Sequence, residues 1–178
     1  MAVSEARAVI NASPFAQVRD GASEVVMKLL SNDGTVGPVL NLSEQLLTDV
    51  SVHPILTALE RNTIVRELNL NQNELGDAGA KGLANLLRVN KILTSVSLTG
   101  NRVGLAGARA LQSAAEGNTT LLHLGLGVQK AHGGFVLGLE TIQSTITVQL
   151  AMNRVNMMKS RPPLTLVAAD AVMQAAAP

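Results

Sequence analysis

Between residues 35 and 160 the apolar positions follow two alternating rhythms. Short Leu-x-Leu segments, with a period of two, give way to stretches where Leu, Ile and Ala recur at offsets of three and four. The first pattern predicts a strand with one face turned inward, the second an amphipathic helix. The alternation itself repeats. Leu70, Leu98 and Leu126 stand at one constant interval. Leu68, Val96 and Leu124 share this register, and Leu40 and Leu42 lie one period earlier. The helical half keeps step through Ile55, Leu83 and Leu111, then Leu59, Leu87 and Ala115, with Asn62, Asn90 and Asn118 at the helix ends. The last interval, from Leu126 to Leu150, is shorter, and there "LAMN" restores the strand signature with Asn153 in the place of Asn73 and Asn101.

Leu-x-x-Leu-x-Leu-x-x-Asn followed by an amphipathic helix is the pattern of a leucine-rich repeat. A period of about 28 residues, with a full helix in each unit, resembles the ribonuclease-inhibitor type. The predicted fold is α/β: a leucine-rich-repeat right-handed solenoid, with a parallel inner β-sheet of about five strands and outer α-helices. One domain over residues 1–178 is expected: a helical N-terminal cap over 1–34, repeats over 35–160, and a tail or capping helix over 161–178. Helices are predicted over 4–12 and 22–32 in the cap, and Arg161-Pro162-Pro163 breaks regular structure before the tail. Asp77 suits a helix N-cap, and Asn90 and Asn118 suit helix ends. Asn73, Asn101 and Asn153 are read as a structural ladder, their amides pairing backbone groups at each bend after a strand. Gln45 and Gln129 replace the Asn at the first and fourth bends, which should be wider or irregular.

Chemistry narrows the function. Fourteen basic residues against 13 acidic ones leave a net charge of +1, with no Trp, no Tyr and two Phe. Neither a basic field nor a base-stacking platform exists, so nucleic acid is not an expected partner. Without cysteine there is no disulfide framework, thiolate nucleophile or Cys-type zinc site. No apolar run reaches the ~20 residues of a membrane span, and the first residues lack the features of a signal peptide. A cytoplasmic protein with no membrane partner is the expectation. His53, before Pro54 at a loop-to-helix junction, His123 on an outward strand position and His132 in "QKAHGGF" have no metal-ligand spacing. "AHGGFVLG" lacks the Lys-Ser/Thr of a phosphate loop. No catalytic, cofactor-binding or metal site is predicted, and the chain is read as no enzyme.

What remains is surface. Outward strand positions are Asn41 and Ser43; Glu67, Asn69 and Asn71; Ser95, Ser97 and Thr99; His123, Gly125 and Gly127; and Thr147, Gln149 and Ala151. This face is small, polar and almost uncharged, without the aromatic or Arg anchors of a tight groove binder. The ridge of loops after the strands is more pointed. Its partner-binding candidates are Asn71, Gln72, Glu74, Arg102, Val103, Gln129 and Lys130, with Glu67 and Asn69 beside them on the sheet.

A closer resemblance lies within the repeat class. The run Leu87-Arg88-Val89-Asn90-Lys91-Ile92-Leu93-Thr94-Ser95 resembles the "LKVNKTLKSL" segment of tropomodulins, and the likeness continues through Asn101, Gly104, Gly107 and Ala110-Leu111. "EGNTTLLHLGL" resembles their "DNETLAELKI", and "QSTITVQLAMN" their "ENTNILKFGYQ". Over about residues 23–160 the chain is similar to the C-terminal repeat domain of tropomodulin and leiomodin. The resemblance implies a non-enzymatic protein-interaction module of the cytoskeleton that binds actin at filament pointed ends. The alternative is a general intracellular adaptor for a protein other than actin. The family's N-terminal tropomyosin-binding half has no counterpart here, its basic C-terminal helix is replaced by an Ala-rich tail, and Leu150 and Met152 stand where it has Phe and Tyr. Those departures argue against tropomyosin as a partner.

Overall fold

In the computed structural model, residues 18–32, 34, 36–130 and 138–160 are described. Helix α1 (Val18–Ser31) leads into strand β1 (Val39–Asn41), and then strand and helix alternate. These are α2 (Asp49–Leu59), β2 (Glu67–Asn69), α3 (Asp77–Val89), β3 (Ser95–Ser97), α4 (Leu105–Glu116), β4 (His123–Gly125) and α5 (Leu139–Ser160). The four strands form one parallel sheet in the order β1-β2-β3-β4. Leu40 pairs with Leu68, Leu68 with Val96 and Val96 with Leu124, so the period of the sequence is the register of the sheet. The helices pack side by side in chain order behind it. Among the described residues the structure is a leucine-rich-repeat solenoid with four strands.

The core follows the two rhythms. Leu40 and Leu42, Leu68 and Leu70, Val96 and Leu98, and Leu124 and Leu126 are all buried beneath the helices. From the other side come Ile55 and Leu59, Leu83 and Leu87, and Leu111 and Ala115. No unit could bury these side chains alone, so each repeat is stabilised by its neighbours. In the N-terminal cap α1 begins at Val18, earlier than the predicted 22, and places Val25 and Leu29 in the core. The predicted helix over 4–12, the tail over 161–178 and His132 lie outside the described residues.

Helix starts differ from expectation in an informative way. Asp77 is not the N-cap of α3; Gly76 is, and it offers no side-chain hydrogen bond. The cap comes from the preceding repeat. Asp49 Oδ1 accepts from the Gly76 and Gly79 amides at 2.7 and 2.8 Å, and Asp77 Oδ1 accepts from Gly104 and Gly107 at 2.8 Å each. Each carboxylate thus serves the positive end of the next helix as well as its own. A Cβ at Gly107 would lie 2.7 Å from Asp77 Oδ1 and 3.1 Å from its Cα, so this contact requires glycine. Leu105 holds the equivalent position one period later and ends the relay. Helix α2 also starts earlier than read. A capping box between Thr48 and Ser51 begins it at Asp49, so His53 and Pro54 lie inside the helix and not at its junction. A residue before proline is usually biased away from helix, and the capping box overrides that bias here.

The fifth strand does not form. Thr147, Gln149, Ala151 and Asn153 lie within the long helix α5, not on the sheet. "LAMN" suits both structures, because its Leu and Asn are spaced to share a helical face. Preceded by Ile142 and Ile146, Leu150 and Asn153 complete a buried helical stripe. Something must still close the edge of β4. Gln143 does so: its Oε1 accepts from the Leu126 amide at 3.0 Å and its Nε2 donates to the Leu124 carbonyl at 3.1 Å. Leu98 uses its amide in the same way toward Gly125 of the next strand. One side-chain amide therefore stands in for a peptide group of the missing strand and covers the edge.

Candidate interaction surface

Two amide ladders fix the edges of the solenoid. On the edge where strands end, Asn73 Nδ2 donates to the Leu42 and Leu70 carbonyls at 2.8 and 2.9 Å. Asn101 repeats this toward Leu70 and Leu98 at 2.8 Å each. Gln129 continues it, donating to Leu98 at 3.0 Å and to Leu126, while its Oε1 accepts from the Val103 amide at 3.1 Å. Asn153 belongs elsewhere. It donates to the Asn118 and Leu121 carbonyls at 2.7 and 2.9 Å, on the edge where helices end. There it is the last rung after Asn62, Asn90 and Asn118, whose amides donate to Leu29, Leu59 and Leu87 carbonyls at 2.9, 2.8 and 2.6 Å. The correction has a physical reason: once 139–160 is a helix, Asn153 faces the end of α4 rather than the end of a strand.

The two Gln bends depart from the others. At the equivalent position in the first three bends one residue has a left-handed backbone: Glu44, Gln72 and Gly100. The first bend adds a second, Leu46 at φ 55°, and the fourth shifts the feature one residue earlier, to Gly127 at φ 51°. The backbone bond into the fourth bend shifts too. Gln72 donates to Thr99, one position short of its own copy in the next repeat, whereas Gly100 donates to its full-period copy, Val128. The extra methylene of Gln129 spans that displaced loop.

On the ridge, residues one period apart stack. Glu74, Arg102 and Lys130 occupy equivalent positions, and Glu74 takes both cations: Arg102 Nη2 lies 2.5 Å from Oε2 and Lys130 Nζ 3.2 Å from Oε1. The Arg102 contact has the distance of an ion pair but not the angle of a hydrogen bond. Lys130 also donates to the Asn73 carbonyl at 3.2 Å, so it ties the fourth bend to the second. Gln72 is exposed and Asn71 half-buried, its Oδ1 accepting from the Thr99 amide at 2.8 Å. Asn69 is half-buried on the sheet and accepts from Asn71, while Glu67 is exposed at the start of β2. Val103, expected on the ridge, is 1% exposed and is a core residue, because the loop turns inward there to start α4. Gln129 is half-buried and works as a ladder rung. The structure therefore brings Asn71, Gln72, Glu74, Arg102 and Lys130 onto one ridge.

The ridge has a first member that the sequence reading passed over. Leu46 lies one period before Glu74, in the same column, and is 73% exposed. Extending the spacing of Glu74, Arg102 and Lys130 back by one period would have found it. Among the described residues no group of three or more His, Cys, Asp or Glu could hold a metal, and no helix is long and apolar enough to cross a membrane.

Stacked Leu-x-Leu strands, outer helices and amide ladders define the class: the chain has the leucine-rich-repeat fold. A family model described as Leucine Rich repeat matches residues 61–84 and 89–111. No curated protein sequence matches the chain. Among solved structures, it is similar to the leiomodin-1 actin-binding site 2, with a TM-score of 0.56 and 24% identity over 78% of this chain and 92% of that one. The tropomodulin C-terminal domain of Caenorhabditis elegans is similar at a TM-score of 0.57 and 14% identity, over 78% and 97% of the two chains. At such identities the likeness is one of fold.

Proposed function

We propose that this protein is a non-enzymatic protein-interaction module, with the Asn71–Lys130 ridge as its contact surface and actin as its partner. The observation behind the partner is the fold match, which spans 92% of the leiomodin-1 actin-binding site 2. The observation behind the surface is the column Glu74, Arg102 and Lys130, three charged groups held on a stiff frame at a loop edge. The cytoskeleton is the compartment this reading implies. Depolymerisation of pyrene-labelled filaments capped at the barbed end tests it. Slowed loss of signal at micromolar protein is the expected result, and an unchanged rate would sink the actin reading.

A second reading, an adaptor for a different protein, is favoured by the low identity to the leiomodin chain, 24%, at which only the fold is shared. Whichever the partner, it must compete with the network in which Glu74 holds Arg102 and Lys130. Affinity capture from native extract separates the two readings: a saturable partner in the absence of bound actin supports the adaptor.

A further inference from the structure

Helix α5 carries an apolar outer face where the last helix of a solenoid should be polar. Its buried stripe, Ile142, Ile146, Leu150 and Asn153, packs toward α4 and β4. With about 3.6 residues per turn, Val148, Ala151, Met152, Val155 and Met158 fall on the opposite side, and all are exposed. The four large ones are 47% to 73% exposed. Earlier on the same side stand Thr141 and Ser144, so the apolar patch is confined to the later turns of the helix. From Arg154 to Ser160 no side chain is buried at all. A helix end without packing frays, so this one calls for a covering segment.

The chain itself carries a matching one. Pro162 and Pro163 stop the helix, because proline donates no amide and disfavours helical backbone before it. Between Leu164 and Ala177 only Thr165, Asp170 and Gln174 are polar, and no cation occurs. Its many alanines favour helix. Leu164, Ala168, Ala171 and Ala175 recur at offsets of four, three and four, on a helical face away from Asp170 and Gln174. Val148, Met152, Val155 and Lys159 have the same offsets, the seam spacing of helices packed side by side. Across a turn at 161–163 the two series match in antiparallel order. Lys159 meets Leu164, Val155 meets Ala168, Met152 meets Ala171 and Val148 meets Ala175. Three large side chains of α5 would then face three alanines, which lets the helices approach closely. A helix over 164–177 spans about 21 Å, enough to cover the about 15 Å from Val148 to Met158. We propose that residues 164–177 fold back as a helix on the outer face of α5 and close the solenoid. The short connection holds this segment at an effective concentration on the order of millimolar, which favours it over a second copy or a separate protein. None of this depends on actin as the partner.

Hydrogen exchange of the full chain tests it. Amides of 168–177 are expected to exchange about tenfold or more slowly than in a free peptide of the same sequence, the worth of one buried apolar side chain. Met152→Asp with Val155→Asp should abolish that protection and leave β2 protected, since both side chains are exposed. The chain has no cysteine, so an engineered pair gives a second measurement. Met152→Cys with Ala171→Cys should close a disulfide within the monomer about tenfold or more faster than Ser144→Cys with Ala171→Cys, because only the first pair comes within bonding reach. Position 144 lies on the same side of α5 but about 12 Å further along it. Free-peptide exchange rates over 168–177, protection that survives the Asp pair, or equal closure of the two disulfides would overturn the proposal. So would protection that disappears on dilution together with a dimer in sedimentation, which would assign the face to a second copy.

Discussion

Asn101 shows how much one side chain carries in a solenoid. It is fully buried, and its amide donates to the Leu70 and Leu98 carbonyls and accepts from the Leu75 N–H. Asn101→Asp keeps the shape and the acceptor but turns an oxygen toward two carbonyls. Leaving buried polar groups unmade costs about 1–3 kcal/mol each, so this substitution should lower the urea unfolding free energy by about 3 kcal/mol or more. Glu74→Gln makes the opposite case. Arg102 and Lys130 are nearly half exposed, and ion pairs in such positions are worth about 0–1 kcal/mol. Stability should change by less than about 1 kcal/mol on the same urea curves, which assigns the network to the surface rather than the frame. Asn73 and Asn101 were legible in the sequence because an amide repeated at a fixed period marks a repeated structural need, whereas Asn153, at a shortened interval, was not. Val103 was not, because a valine in a polar loop reads as exposed until the chain is seen to turn inward.

At the scale of elements, α5 is where pattern and structure part. Its closing device is testable. Gln143→Leu leaves the Leu124 carbonyl and the Leu126 amide without this partner at the sheet edge. A cost of about 1–3 kcal/mol is expected, and hydrogen exchange should rise at Leu126 before it rises at Leu98. If the two amides exchange alike, the closure belongs to the bulk of the helix and not to this amide. The relay of carboxylates makes a second test. Asp77→Ala should cost about 0.5–2 kcal/mol, as loss of an N-cap does, and the exchange it accelerates should be at the start of α4 rather than α3. Periodicity assigned each helix its buried face, but a cap supplied across repeats needs two chain segments to be seen together.

For the whole molecule the arrangement is one-dimensional. Helices α2, α3 and α4 run the same way, so their dipoles add, and Asp49 and Asp77 stand at their starts while Arg88 stands at the end of α3. Part of the charge pattern is thereby explained without a partner. Stability is a sum of units and of the contacts between them. Leu98→Ala, in the centre, should cost about 2–5 kcal/mol and loosen the repeats on both sides. Ile146→Ala, at the end, should fray α5 and leave amide protection in β2 intact. Uniform loss of protection in both variants would show that the array unfolds as one cooperative block.

The fold class, the register of the sheet, the buried Leu pairs and the amide ladder of the strand ends were determined by the sequence alone. Each depends on contacts between a residue and its copy one period away, and a strict period makes those contacts readable in one dimension. Tertiary structure alone decided that 147–153 is helix, that Asn153 and Gln143 close two different edges, and that Leu46 takes a left-handed backbone at the first bend. At these places the neighbouring repeat is missing or altered. A side chain's role there is set by which backbone groups remain unpaired nearby, and that quantity exists only once the chain is folded.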